Sequence, residues 1–399
     1  MKTKVLFIGA YGIENSGDDL PMLVMMDNLQ KIAPKKTKFE FHSLTRHPNS
    51  WEQKQYKIKQ HQNLEYQSRE EARDKWLRGL NFQDNRDEFY KFLELIKSMD
   101  VLVIGAGNFI LDISIDVFKG PIPLMWWYVH IAKLYDKKVF LYGLSAAPLK
   151  NEYARLLTQE IINKSDIVTL RDNYSKKYLK SLNIKKKLLV LPDPTLGVSL
   201  EDKVSLHKRD KKFFKNTKKE KIALGIRDLS FLDDKGQFAF DTLLSFINKN
   251  PHNAYIFIPQ STYFEDDDRK TAQSFVEKID KNIDVHIVEN RYTPKELIHL
   301  YSLCDMTIAI RLHSAVFSHI AGTPAIAISY LPKVKAFMKD FKTQKQLIDI
   351  ENISLEKLEK RVKYIKKEKE LQHFIKEQIK YKKRDVEKYA QLVLTLLKG

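Results

Sequence analysis

The sequence predicts an α/β chain of two Rossmann-like domains facing a cleft, each a parallel sheet flanked by helices. Three observations carry this. Short apolar runs ending in glycine or a polar residue alternate with segments of helical spacing, as in βαβ units. The alternation stops at a lysine-rich stretch with almost no apolar period, "EDKVSLHKRDKKFFKNTKKEK", and then restarts. A length of 399 residues with 43% hydrophobic content suits two packed cores.

The elements follow in order. "KVLFIGAYG" is a buried strand, "LPMLVMMDNLQKIAP" a helix stopped by Pro34, and "KFEFHSL" an alternating strand. Residues 50–97 are polar and charged and read as helix with a long loop. "DVLVIGAGNFI" is a buried strand, "PLMWWYVHIAKLYD" a buried helix, "KKVFLYGLSAAP" a strand and "EYARLLTQEIINKS" a helix. "DIVTLRD" and "KLLVLPDPT" close the first half. After the basic stretch come the strands "IALGIRDLS", "AYIFIPQST", "VHIVEN", "DMTIAI" and "PAIAIS". The helices "FDTLLSFINKN", "RKTAQSFVEKID", "PKELIHLYSLC" and "HSAVFSHIAG" lie between them. From Ile353 the chain is lysine-rich and helical, and the apolar stripe of "DVEKYAQLVLTLLKG" is expected to dock on a domain. The expected boundaries are 1–200, a linker at 201–220, 221–345, and C-terminal helices at 346–399.

The formal charge of +18 favours anionic partners: phosphorylated small molecules, an acidic membrane surface or nucleic acid. There is no zinc-finger spacing, RNP signature or basic zipper, so no specific nucleic acid is expected. The single cysteine, Cys304, cannot form an intrachain disulfide, which fits a reducing compartment. No run reaches the roughly 18 apolar residues of a membrane span. A soluble, cytoplasmic protein is expected.

Candidate chemistry gathers at strand ends, where open α/β sheets place ligands. "DMTIAI" runs directly into Arg311, Leu312, His313 and Ser314. A helix starting there offers free N–H groups to an anion. Arg311 adds a planar cation suited to carboxylate or phosphate, and His313 exchanges a proton near neutral pH. Arg227 follows the first strand of the same half and aims a second guanidinium into one crevice. A plainer reading has Arg311 and Arg227 in structural ion pairs and His313 capping the helix. In the first half, "GIENSGDDL" joins a strand to a helix. Gly17 permits a close-approaching loop, and Asp18 and Asp19 disfavour phosphate; with Asn15 they suit the hydroxyls of a sugar, or one of them simply caps the helix. "GAGNF", with Asn108, is a similar strand-end loop. Nothing calls for a metal.

Taken together, "YGIENSGDD", "VLVIGAGNF", "SDIVTLRDNYS", "PDPT", "GIRD" and "CDMTIAIRLHSAVFSHIAGTPAIAISYLPK" resemble the polysaccharide pyruvyl transferase family. The resemblance runs from Val5 to about Phe341, and its last piece is the most specific. It implies a GT-B-like fold and transfer of pyruvate from phosphoenolpyruvate onto two sugar hydroxyls, giving a cyclic ketal. It implies a donor site of Arg311, Leu312 and His313 with Arg227 as a further anion ligand, and Ser314 and Lys333 are expected beside them. Asn15, Gly17, Asp18, Asp19 and Asn108 fall on the acceptor side. In the mechanism expected, His313 protonates the methylene carbon, deprotonates the attacking hydroxyl, or does both in turn. Phosphoenolpyruvate is then a substrate and no cofactor is implied. Acceptors include lipid-linked glycans, which makes the anionic inner face of the membrane a candidate partner. This chain departs from the family's Gly-rich loop, reading "YGLSAAP" there. The rival readings are a glycosyltransferase using a nucleotide sugar and a non-catalytic basic surface binder of the same fold.

Overall fold

The computed structural model describes residues 2–48, 51–68, 70–73, 75–111, 120–200 and 204–398, without the side chains of Glu52 and Asn108. The chain divides into two units. The first holds Met1–Glu14, Asp18–Val198 and Lys382–Gly399, and the second holds Asn15–Gly17 and Ser199–Tyr381.

In chain order, the first unit contains β1 (Lys2–Ile8), α1 (Ser16–Ile32, which opens in the second unit), β2 (Lys38–Thr45), α2 (Trp51–Tyr56), β3 (Lys59–Gln62), α3 (Asp87–Ser98) and β4 (Val101–Ile110). It continues with α4 (Pro121–Leu134), β5 (Lys138–Ala146), α5 (Glu152–Lys164), β6 (Ile167–Leu170), α6 (Asn173–Ser181) and β7 (Leu188–Val190). The strands form one parallel sheet in the order β3-β2-β1-β4-β5-β6-β7. Val5, Leu6, Val103, Phe140 and Leu141 are fully buried because both faces are covered, which is why these strands read as continuous apolar runs. Asn151 caps α5 by accepting the Tyr153 N–H, and Asp172 caps α6 by accepting that of Ser175.

The second unit contains α7 (Lys208–Asn216), β8 (Lys221–Gly225), α8 (Asp233–Lys249), β9 (Ala254–Phe257), α9 (Asp268–Val276), β10 (Asp284–Ile287) and α10 (Pro294–Ser302). After them come β11 (Met306–Ala309), α11 (Leu312–Ile320), β12 (Ala325–Ser329), α12 (Pro332–Asp340), β13 (Leu347–Asp349), α13 (Leu355–Lys367) and α14 (Leu371–Lys398). Its parallel sheet has the order β10-β9-β8-β11-β12-β13. A Thr293–Glu296 capping box starts α10.

Two segments differ from the sequence reading. The expected linker holds α7, whose Asp210 is fully buried and accepts from the Tyr292 hydroxyl (2.6 Å), with His286 Nε2 at 2.7 Å. Phe213 stacks on His286, so the helix is part of the second unit's fold. Within residues 51–92 the chain adds an edge strand, β3, between α2 and α3. The last turns of α14 belong to the first unit, where Val386, Tyr389, Ala390 and Val393 are buried and the Tyr389 hydroxyl donates to the Pro192 carbonyl. Among the described residues no helix is long and apolar enough to cross a membrane.

Candidate active site

Strand register brings the two arginines of the second unit together. β8 and β11 are neighbours, with Gly225 opposite Ala309. Arg227 and Arg311 each lie two residues beyond that pair, so both leave the carboxyl ends of adjacent strands. This is the point where the strand order reverses, the usual ligand crevice of an open α/β sheet.

Arg311 is the N-cap of α11 and is 9% exposed. Its Nε and Nη2 donate to Asp268 Oδ1 at 2.8 and 2.6 Å, and Nη2 also donates to Asp266 Oδ2 at 2.8 Å. Asp268 is itself buried, and its Oδ2 accepts the N–H groups of Gln260 and Ser261. Burial opposes the charge on Arg311, but Asp268 and Asp266 outweigh it and hold the guanidinium protonated. The plainer sequence reading therefore describes much of Arg311: it anchors the loop before α9. Removing one partner of such a buried pair costs about 3–5 kcal/mol.

Arg227 is less committed. Its Nη2 donates to Asp266 Oδ1 at 3.3 Å and its Nη1 to the Tyr330 hydroxyl at 3.1 Å. The guanidinium lies over the Phe231 ring, 5.2 Å from its centroid. Its buried Nε has no hydrogen-bond partner among the described residues. One carboxylate, Asp266, thus bridges two guanidinium groups from neighbouring strand tips.

His313 sits in the first turn of α11, half-buried, two residues after Arg311. Its imidazole rests on Gly17. A Cβ at Gly17 would lie 2.0 Å from Nδ1 and 2.1 Å from Cγ, so this position must be glycine. The turn around Gly17 is tied down within the second unit by the Ser16 N–H, which donates to the Gln260 carbonyl, and by an Asn15–Ser261 bridge. Leu312 is 8% exposed, and Ser314 is fully buried. A Cβ at Gly225 would come within 2.0 Å of the Ser314 hydroxyl, so α11 packs directly on the β8 backbone. What Leu312 and Ser314 can present to a ligand is their backbone N–H groups at the helix start. Lys333 stands half-buried in the first turn of α12.

The residues expected on the acceptor side divide between units. Asn15 and Gly17 belong with the second, Asp18 and Asp19 with the first. Asp19 is buried, accepting the Gly12 N–H at 2.8 Å and the Tyr56 hydroxyl at 3.4 Å, a loop-fixing arrangement. Asp18 occupies the first turn of α1. The side chain of Asn108, on β4, lies outside the described residues.

The sequence reading missed Asp266, Asp268, Tyr330 and Phe231. The signal available was "YFEDDDRK", three consecutive aspartates beyond the tip of β9, a strand next to β8. Acid at a strand tip beside two arginines is where ion pairing is expected. Tyr330 stood within the recognised "AISYLPK" without a role.

Comparisons with known proteins complete the picture. The family described as polysaccharide pyruvyl transferase matches residues 15–332. The amylovoran biosynthesis protein AmsJ of Erwinia amylovora is 23% identical over 291 residues, covering 69% of this chain and 68% of that protein. Among solved structures, the UDP-GlcNAc 2-epimerase of Neisseria meningitidis superposes with a TM-score of 0.59 at 14% identity, covering 100% of this chain and 99% of that one. A UDP-glucosyltransferase from Polygonum tinctorium gives 0.57 at 10% identity, with the same coverage. At these identities the likeness is one of fold, and the fold is GT-B.

Proposed function

The chain belongs to the polysaccharide pyruvyl transferase family, and on that premise we propose that it transfers pyruvate from phosphoenolpyruvate onto two hydroxyls of a sugar. The coarser statement, a transferase of polysaccharide biosynthesis, agrees with the AmsJ relative. The observation that carries the finer one is the Asp266 carboxylate held between Arg227 and Arg311. Two guanidinium groups gripping one carboxylate describe a site for a small anion.

Phosphoenolpyruvate carries a carboxylate and a phosphate. In this reading one of these groups takes the place of Asp266, whose side chain is a third exposed. Arg227 contributes its uncommitted N–H donors, with Tyr330 and Phe231 fixing the plane of its guanidinium. Arg311 keeps Asp268 and holds the loop before α9 in place. The first turn of α11 supplies the backbone N–H groups of Leu312 and Ser314, and Lys333 supplies a further cation.

His313 then moves the proton. One sugar hydroxyl adds at C2 of the donor while C3 gains a proton and becomes a methyl group. The second hydroxyl forms the other C–O bond at C2, and phosphate leaves with the electron pair of its C–O bond. The two hydroxyl protons end on the methyl group and on the departing phosphate, with the imidazole as carrier. Stabilising the charge that develops at the donor oxygens supplies the remainder of the acceleration. Asp18 orients the acceptor. The +18 charge supports a protein working against the anionic inner leaflet on lipid-linked acceptors.

The experiment is phosphate release from phosphoenolpyruvate across a panel of glycan acceptors, with UDP-sugars offered in parallel. Acceptor-dependent release supports this reading. Turnover of a UDP-sugar without phosphoenolpyruvate overturns it in favour of a glycosyltransferase.

A further inference from the structure

The segment between α2 and α3 matched no motif in the sequence, yet it builds a cavity of about 310 Å³ in the first unit. His61, Asn63, Arg78, Lys91, Phe92 and Leu95 are among its lining residues. We propose that this cavity is a carbohydrate subsite for one sugar residue bearing a carboxylate, a hexuronate in the acceptor glycan. The choice of a sugar rests on the glycan-modifying reading above; the rest stands on the geometry of this cavity.

Ligand pockets begin at roughly 300 Å³, and a volume near that limit holds one pyranose ring with its substituents rather than a nucleotide sugar. The walls are mixed. Glu88, Lys91, Phe92 and Leu95 share one face of α3, at helical spacing, and all line the cavity. Phe92 and Leu95 offer an apolar surface of the kind on which the C–H face of a sugar ring rests.

A histidine relay fixes what His61 can do. His42 Nε2 lies 2.9 Å from Glu40 Oε1, and His42 Nδ1 lies 2.8 Å from His61 Nε2. The two ring planes are within 11° of parallel and the centroids are 5.1 Å apart, so the rings lie edge to edge, as an in-plane hydrogen bond requires. Burial pushes both imidazoles down, His61 to about 4, so at neutral pH each ring is uncharged and carries one proton. Glu40 is held ionised by Lys59 and His42, so it accepts the proton-bearing Nε2 of His42. His42 Nδ1 is then a bare acceptor and takes the N–H of His61 Nε2. The one remaining nitrogen, His61 Nδ1, is left with a lone pair and no partner among the described residues. A carboxylate thus sets the tautomer of a cavity-lining imidazole through a second ring, the way an outer group orients a functional histidine. The product is a neutral acceptor suited to a sugar hydroxyl.

Charge narrows the ligand further. Arg78 donates to Glu88 at 2.7 Å, so that pair is closed. Lys91 is exposed and has no partner among the described residues. One unpaired cation matches one carboxylate and undershoots a phosphate dianion.

The test uses the full chain and reads binding directly, without phosphoenolpyruvate or turnover, so its outcome is independent of the donor assignment. Saturation-transfer NMR or calorimetry is run with methyl glucuronide, methyl glucoside and inorganic phosphate. Methyl glucuronide is expected to bind saturably, and Lys91→Ala to weaken it about tenfold while leaving methyl glucoside unchanged. His61→Phe, which keeps the ring and removes the acceptor, is expected to weaken both sugars. Lys91 is exposed, so its variant tests the idea even if the His61 variant folds poorly. Absence of saturable sugar binding up to roughly 10 mM overturns the proposal, as does glucuronide binding that ignores Lys91. Phosphate bound in place of either sugar overturns it as well.

Discussion

Two strand tips carry the same two letters and use them differently. β6 of the first unit is followed at once by Arg171–Asp172, and β8 of the second ends near Arg227–Asp228. The aspartates do similar local work. Asp172 caps α6, and Asp228 accepts the N–H and hydroxyl of Ser230. The arginines differ. Arg171 donates from Nε to the Ser145 hydroxyl at 2.6 Å and from Nη1 to Asp193 at 3.0 Å, so it ties the tips of β5, β6 and β7 into one network. Arg227 shares its carboxylate with a second arginine, lies on an aromatic ring, and keeps a buried Nε without a partner among the described residues. An arginine at a strand tip is therefore not a site by itself. What marks a site is cation capacity left over after the fold has taken its share.

The comparison is broken most severely at His313, the proposed proton carrier. His313→Ala is expected to cut phosphate release by about 10²–10⁴-fold with an unchanged circular dichroism spectrum. Near-normal turnover in a folded variant removes His313 from the chemistry. Gly17→Ala should cost on the order of 10²-fold in kcat, since its Cβ would fall 2.0 Å from His313 Nδ1 and displace the ring. Unchanged kcat would mean the imidazole does not need that seat.

The two arginines should separate by readout. Arg227→Ala raises the KM for phosphoenolpyruvate about 10–100-fold with little change in Tm. Arg171→Ala lowers Tm and leaves that KM alone. Equal effects of both on KM would erase the distinction.

A parallel contrast sits on α11. His319, one face round from His313, is fully buried with Nδ1 3.0 Å from the Ala315 carbonyl, and burial pushes it down to about 4. Its ring stays neutral in the folded chain while the unfolded chain protonates below the ordinary value of 6.5. Stability should thus be complete above that value and fall as pH drops toward 4. Thermal melts of His319→Gln should show a shallower acid slope; an identical slope would place the sensitivity elsewhere. The smallest effect is expected from Asp266→Asn, which weakens the proposed internal competitor of phosphoenolpyruvate. Its KM for phosphoenolpyruvate should fall about threefold, and a rise would show that Asp266 aids the donor instead.

The sequence exposed those parts of the fold whose physics is local. Buried parallel strands such as "VLVIG" and "AIAIS" show themselves as apolar runs because both faces are covered. β3, "KQHQ", could not be seen, being a four-residue polar edge strand. α7 was hidden because nine residues rich in lysine look like a linker, and only the buried Asp210 and its partners from β10 onward reveal the docking. The positions of Arg227, Arg311 and His313 just beyond strand tips were legible. Their partners were not, because Asp266 and Asp268 reach Arg311 from another strand's loop, and pairing across a sheet leaves no spacing to read. Gly17 against His313 was hidden for the same reason.

Calorimetric titration of phosphoenolpyruvate, without acceptor, into the wild-type chain, Arg227→Ala and Arg171→Ala tests the central claim most directly. The account predicts one saturable site in the wild type, retained in Arg171→Ala and weakened at least about tenfold in Arg227→Ala. Wild-type affinity in Arg227→Ala, or no saturable binding to the wild-type chain, would contradict it.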